Sequence, residues 1–447
     1  MKLKIYPAIL VIGMIGNSCK KLVEVDLPQN QLSSQAVLSD STTALSALVN
    51  IYALFPNTID QTFHTSLSVY SDELDYSQNN PAINEFRQSY VSAANTRDLT
   101  LWKNFYFIIY SCNDLIGNLQ SGDAMPESKV RQFTGEARFL RAFAFFYLTN
   151  LYGLVPLPLK NEVSSTALLA RSDSASVYQQ IVADLQSARG LLPVTYPSAG
   201  KVRANQYATT ALLARVYLYR QDWAQAEQAA GTVINSRLYQ LSAPGQTFTA
   251  GSAGTLLEFA TPNGFNSSST EFIPLSGKPN YPVSAHLITQ FEPGDLRFSA
   301  WIKSTKVAGT TYDYPNKYHN RSANTSAPEY LVALRLAEQY LIRAEAEIRQ
   351  NKLDAGLADL NTVRQTAGLT NLTLSNQAEL INAVYQERET ELFTEWGHRL
   401  FDLKRTGRAN AVLGAAKPTW KTNISLLLPI PQNEIIHDHN LTQNAGY

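Results

Sequence analysis

Cysteine is nearly absent from this 447-residue chain, which carries only Cys19 and Cys112. Two cysteines exclude the disulfide framework by which small exported domains replace a core. An excess of charge is missing too: 37 Lys and Arg stand against 37 Asp and Glu. The chain therefore has no electrostatic footprint for nucleic acid and no acidic tail. Beyond residue 19 no apolar run approaches the roughly 18 residues of a membrane-spanning helix. Familiar catalytic signatures are lacking as well. There is no phosphate-binding Gly-rich loop, no paired-His metal helix and no Gly-flanked Ser nucleophile. His437 and His439 form the only close His pair, and in a polar tail they read as solvated side chains. No catalytic residue, metal site or cofactor is expected.

What is present begins at the N-terminus. Lys2 and Lys4 precede an apolar run, Ile5 to Ile15, of about 11 residues, which spans roughly half a bilayer core and reads as an export signal. Gly16-Asn17-Ser18-Cys19 then places compact residues before a cysteine. That order suits a lipoprotein signal peptidase, with residues 1–18 removed and Cys19 acylated. Gly16 departs from the Leu usual at that place. Membrane attachment then comes from the lipid, and residues 19–35 form a polar tether containing Pro28. Cys112, within the apolar stretch 102–119, reads as a small buried hydrophobe.

The remainder, 36–447, is expected to be one mainly α domain. Phe133, Ala137, Leu140, Ala144, Tyr147 and Leu151 recur at spacings of three and four, the period of a helical face. Residues 174–192 repeat the pattern with Val177, Ile181, Leu185 and Ala188. Residues 204–236 read as two helices joined at Arg220-Gln221-Asp222. Ala214, Tyr217 and Ala226 fall where a tetratricopeptide-type hairpin needs small and aromatic residues. A second copy downstream sets Ala344, Leu353, Gly356 and Val363 against Ala214, Trp223, Ala226 and Val233, with Glu347 replacing Tyr217. The scaffold covers about 36–240 and 329–410. Residues 242–328 lose the helical period and read as a long irregular insertion, and 56–98 as a smaller one. Long loops of this kind are commonly functional.

Two groups of side chains suggest chemistry. Glu387, Glu391 and Glu395 repeat every four residues in a helix expected over 379–397, and paired carboxylates can serve a general acid and base. Pairing with Arg343 or Arg364 across packed helices is the structural alternative, and Asp72-Glu73 is read the same way. The irregular segments instead combine aromatic rings, which stack on sugar faces, with amides and charges that bond hydroxyls. The candidate ligand residues are Tyr76, Asn79, Asn80, Phe86 and Arg87 in one segment, and Trp301, Tyr312, Asp313 and Tyr314 in the other.

Several motifs in order resemble the SusD/RagB-type proteins of Bacteroidetes. They are Gly135-Glu136-Ala137-Arg138-Phe139-Leu140-Arg141-Ala142, Leu151-Tyr152-Gly153 and Val155-Pro156-Leu157. Further along come Arg335-Leu336-Ala337-Glu338, Ala344-Glu345-Ala346, Asn361, Val363-Arg364 and Glu387-Arg388. Glu391-Leu392, Glu395, Arg399 and Asp402-Leu403-Lys404-Arg405 follow. Leu428-Pro429-Ile430-Pro431, Glu434-Ile435, Gln443-Asn444 and Gly446-Tyr447 close the series, and Ser71-Asp72-Glu73 fits an acidic turn. Trp396 stands where the family usually has Gly. The resemblance implies tetratricopeptide-like hairpins supporting an irregular ligand-binding face. It implies lipid anchoring on the cell surface at the outer membrane, and delivery of an oligosaccharide or polysaccharide to a SusC-type TonB-dependent transporter. An oligopeptide receptor on the same scaffold is the alternative, and a glycoside hydrolase using the Glu387 stripe a third.

Overall fold

The computed structural model describes residues 38–120 and 122–447; the signal segment, Cys19 and the tether lie outside the described residues. Helix starts are set by short polar side chains that accept hydrogen bonds from first-turn amides. Asp40 opens α1 (Ser41–Leu54), accepting from the Thr42 and Thr43 amides at 2.9 and 3.1 Å. A π-helical turn at Phe55–Ile59 leads into α2 (Asp60–Tyr70). Asn80 caps α3 (Pro81–Arg87), and Asn95 caps α4 (Thr96–Asn118). The long α5 (Glu127–Tyr152) ends at Gly153. After the single turn α6 (Val163–Thr166), Asp173 caps α7 (Ser174–Leu191). Asn205 and Asp222 cap α8 (Gln206–Tyr219) and α9 (Trp223–Asn235).

Residues 242–328 hold short elements: β1 (Thr255–Phe259), α10 (Ser267–Phe272), α11 (Ala285–Gln290), α12 (Leu296–Trp301) and the hairpin β2 (Ile302–Val307) with β3 (Thr310–Pro315). β4 (Leu331–Arg335) pairs antiparallel with β1, setting Glu258 opposite Val332 and Phe259 opposite Leu331. That pairing ties the region back to the scaffold. The chain continues through α13 (Leu336–Arg349), α14 (Leu353–Thr366), α15 (Gln377–Leu392), α16 (His398–Arg405), α17 (Ala409–Ala416) and α18 (Gln432–His437).

The expected hairpins are present. α8 and α9 pack together, as do α13 and α14, and α9 also packs on α13. Gly356 shows why a small residue is needed there. A Cβ on it would lie 2.5 Å from Ile348 Cγ1 and 2.8 Å from the Ala344 carbonyl oxygen. α5 is buried almost all round from Phe133 to Tyr152, as a central helix must be. Phe143 makes edge contacts with Phe55 at 5.2 Å and with Trp396 at 5.0 Å. Truncating such a ring costs about 3–5 kcal/mol.

Two expectations need correction. Residues 56–98 are not simply irregular, because α2, α3 and the start of α4 lie within them. Phe63, Leu67 and Tyr70 form a buried helical face that the surrounding Ser, Thr and Gln residues obscured. The helix expected over 379–397 stops at Leu392. Thr394, Trp396 and Gly397 follow with φ of 56°, 45° and 67°, so the chain turns sharply before α16. Trp396 pays the strain of that conformation with burial and an indole N–H bond of 2.8 Å to the Val332 carbonyl. The departure from the family pattern is therefore packed into the core.

Candidate functional site

The acidic stripe is interior. Glu387 and Glu391 accept from Arg297 Nη1 at 2.6 and 2.8 Å, and Glu395 accepts from Arg335 Nε at 2.8 Å and Lys317 Nζ at 2.6 Å. Arg335 also pairs with Glu391. Burial opposes ionisation of Glu391, but Arg335 and Arg297 outweigh it and hold the carboxyl at about 2. Of the two expected partners, Arg364 does pair with Glu387, at 3.5 Å, whereas Arg343 needs correction, being paired with Asp359 at 2.6 Å. Arg297 and Lys317 come instead from the 242–328 region, whose packing the sequence did not reveal. Carboxylates so committed have no open position for a general acid or base.

Other motif residues also form buried pairs. Glu136 binds Arg203 at 2.6 Å, Arg141 binds Asp184 at 2.7 Å and Arg405 binds Glu345 at 2.6 Å. Buried pairs demand good geometry and fix orientation.

Parts of the 56–98 and 242–328 regions meet at a cleft of about 620 Å³. Its walls are the turn after α2 (Asp72, Asp75), the end of α3 (Arg87), residues 278–286 and Tyr312 on β3, closed by residues 416–419. Backbone bonds join these parts. Leu74 bridges to Val283, the Ser284 amide donates to the Glu73 carbonyl at 3.0 Å, and the Val283 amide donates to the Asp313 carbonyl at 2.8 Å. Arg87 is paired with Asp75, and Lys278 Nζ stands 4.9 Å from the centre of the Tyr312 ring. Lys417 Nζ donates to the Val69 carbonyl at 2.9 Å, and burial lowers its pKa to about 8. Cations and carboxylates alternate around the cleft, so no single sign of charge dominates.

Of the nine residues expected from the sequence, Arg87 and Tyr312 line this cleft. Asp313 and Tyr314 lie beside Tyr312 on β3; the Asp313 carboxylate accepts from Ser304 Oγ at 2.5 Å, and Tyr314 pairs across the hairpin with Lys303. Asn79 is exposed, and its Oδ1 accepts from Asn84 Nδ2 at 3.3 Å. Asn80 is committed to the α3 cap, accepting from the Ala82 amide at 3.0 Å. Three rings need correction because they are buried. Tyr76 packs on Tyr281 with ring centres 5.2 Å apart, and Phe86 packs on Tyr70 at 6.0 Å. Trp301 donates its indole N–H to the Pro244 carbonyl at 2.8 Å, with Lys317 Nζ 4.6 Å from its ring centre. Loop composition could not tell a ring facing in from one facing out. Asp75, Lys278, His286 and Lys417 were missed, since none stands in a motif.

Asp72, His286 and Glu389 bring donor atoms within 4.8 Å of one another. The Arg399 guanidinium already lies between the carboxylates, 2.6 Å from Asp72 Oδ2 and 2.6 Å from Glu389 Oε2. A second cation there would meet strong repulsion, so this is an ion-pair network.

A second groove, of about 730 Å³, runs between α4, the 156–169 loop and the C-terminal segment. Phe107 is 53% exposed, Tyr110 54% and Val163 74%. Lys103, Lys160, Glu434 and Asp438 stand around it.

Helical hairpins carrying a mixed-charge cleft between irregular segments define a scaffold for ligand recognition. The comparisons give its family. A family model described as starch-binding and associating with the outer membrane matches residues 22–218, and the SusD family model matches 299–447. The chain belongs to the SusD/RagB family. A SusD-like protein P2 of Formosa agariphila is 27% identical over 77% of this chain and 80% of its own. A SusD superfamily structure from Bacteroides vulgatus superposes with TM-score 0.82 at 20% identity, covering 91% of this chain and 99% of that one. A laminarin-binding SusD-like protein superposes at 0.79 with 27% identity, covering 92% and 100%. The family's members are binding proteins, not enzymes. Among the described residues no helix is long and apolar enough to cross a membrane.

Proposed function

We propose that the protein captures an oligosaccharide or polysaccharide in the cleft between α3 and β3 and passes it to a SusC-type TonB-dependent transporter. The observation carrying this reading is that the cleft unites the two irregular segments around Tyr312, Lys278, Arg87 and Asp75. A neutral polyol suits such a lining: a ring face for C–H groups, and alternating donors and acceptors for hydroxyls. The laminarin-binding relative supports a glycan cargo.

In this reading residues 36–447 act as one domain, with 242–328 as its ligand-facing insertion. Cys19 carries the lipid that holds the protein at the outer membrane, facing the cell surface. The exposed rings of the α4 groove form the docking face for the transporter. An exposed apolar patch rimmed by charges is typical of a protein-interaction site. Titration calorimetry with laminari-, malto- and xylo-oligosaccharides tests the cargo. Binding that is lost on replacing Tyr312 and Lys278 supports it; binding of peptides with none of any glycan refutes it.

A further inference from the structure

His286 stands where one cleft wall meets the scaffold. It lies in the first turn of α11, which Ser284 caps, and the Ser284 hydroxyl donates to the Asp72 carbonyl at 2.5 Å. Those bonds are independent of pH. The imidazole adds another tie: Nε2 lies 2.8 Å from Glu389 Oε1 on α15 and 3.4 Å from Asp72 Oδ2. Both carboxylates are buried, while the His286 side chain is 42% exposed and lines the cleft. On the other side, Arg399 Nη2 stands 3.2 Å from the same nitrogen. The remaining charges around the cleft are Asp75, Arg87, Lys278 and Lys417. Glu73 lies beneath the turn, and its burial raises its pKa to about 8.

We propose that His286 is a proton-operated latch, tying α11 and its cleft wall to the scaffold through Asp72 and Glu389. A neutral imidazole can donate to Glu389 only as its Nε2–H tautomer, and it brings no charge to the two carboxylates. The imidazolium donates from Nε2 whatever its tautomer history, and its charge balances the second carboxylate that Arg399 alone leaves uncompensated. The hydrogen bond to Glu389 raises the imidazole pKa above its ordinary 6.5, with Asp72 assisting and desolvation and Arg399 opposing. The sign follows. The part of the tie that the charge supplies is fully present below pH 6.5 and is lost as pH rises through the higher folded value. The cleft wall is therefore held more tightly in mild acid than in alkali, where the Ser284 and Val283 bonds remain, whichever ligand the cleft takes.

Amide hydrogen exchange of residues 285–290 tests this on the whole protein without ligand. Comparing wild type with His286→Asn at each pH cancels the intrinsic pH dependence of exchange. The wild type should exchange several-fold more slowly at about pH 6, and the ratio should approach one near about pH 9. In parallel, the imidazole titration followed by NMR should have its midpoint above 6.5, and Glu389→Gln should lower it. A ratio that does not vary with pH overturns the latch. So does a midpoint at or below 6.5 in the wild type, a result that stands even where the variants do not fold.

Discussion

Arg399 donates from Nε and Nη2 to both oxygens of Asp72, each at 2.6 Å, across 327 residues of sequence. This fork joins the acidic turn after α2 to the first turn of α16, and its Asp72 end lines the cleft. Burial opposes charge at Asp72, but Arg399 overcomes it and lowers the carboxyl pKa below its ordinary 3.8. Removing one partner of such a pair strands the other charge, at a cost of about 3–5 kcal/mol. Asp72→Asn should therefore lower the thermal midpoint by several degrees. A midpoint within one degree or so of wild type, which surface pairs commonly give, would contradict the assignment.

The interior charges give opposite pH signatures. Glu391 has its folded value lowered from 4.5 to about 2, so its stabilisation is present above pH 4.5 and lost as pH falls toward 2. Glu73 has its value raised to about 8, so its contribution is full below 4.5 and is lost as pH rises toward 8. Urea midpoints measured across this range should show a shallower acid slope in Glu391→Gln and a shallower neutral-to-alkaline slope in Glu73→Gln. Unchanged slopes would refute the assignment.

The buried Trp301 ring and the half-buried Tyr312 ring should separate in function. Tyr312→Ala should weaken glycan binding about tenfold or more, roughly 1.4 kcal/mol, with little change in stability. Trp301→Ala should instead destabilise by about 3–5 kcal/mol. Calorimetry and chemical unfolding on the same two proteins decide this. Glycan binding by stable protein that depends on Trp301 but not on Tyr312 would reverse the site.

Docking should depend on the second groove. Phe107→Asp with Val163→Asp, at two exposed positions, should abolish copurification with the transporter while sparing the glycan affinity of the isolated protein. Loss of both, or of neither, would count against a docking role. Cys19→Ser should in turn release the protein from the membrane fraction.

The helical scaffold was legible because its signals are local. Alanine and aromatic spacing in 206–235 and 336–366 reports which faces pack. The motif series was legible for a related reason: Glu136, Arg141, Arg399 and Arg405 are held by pair geometry that leaves little freedom. The cleft was only half legible. Arg87 and Tyr312 lie in stretches whose mixture of rings, amides and charges marked them, whereas Lys278, His286 and Lys417 matter through contacts with distant segments. The inward turn of Trp301 depends on Pro244, Phe248 and Lys317, and no local pattern encodes that. The fate of the Glu387 stripe was set likewise by Arg297 and Lys317, from a region without helical period.

A crystal structure with a bound oligosaccharide tests the central claim most directly. The account predicts sugar density against the Tyr312 ring, with hydroxyls bonded to Arg87, Asp75 and Lys278. Sugar bound only in the α4 groove, with the cleft between α3 and β3 empty, would contradict it.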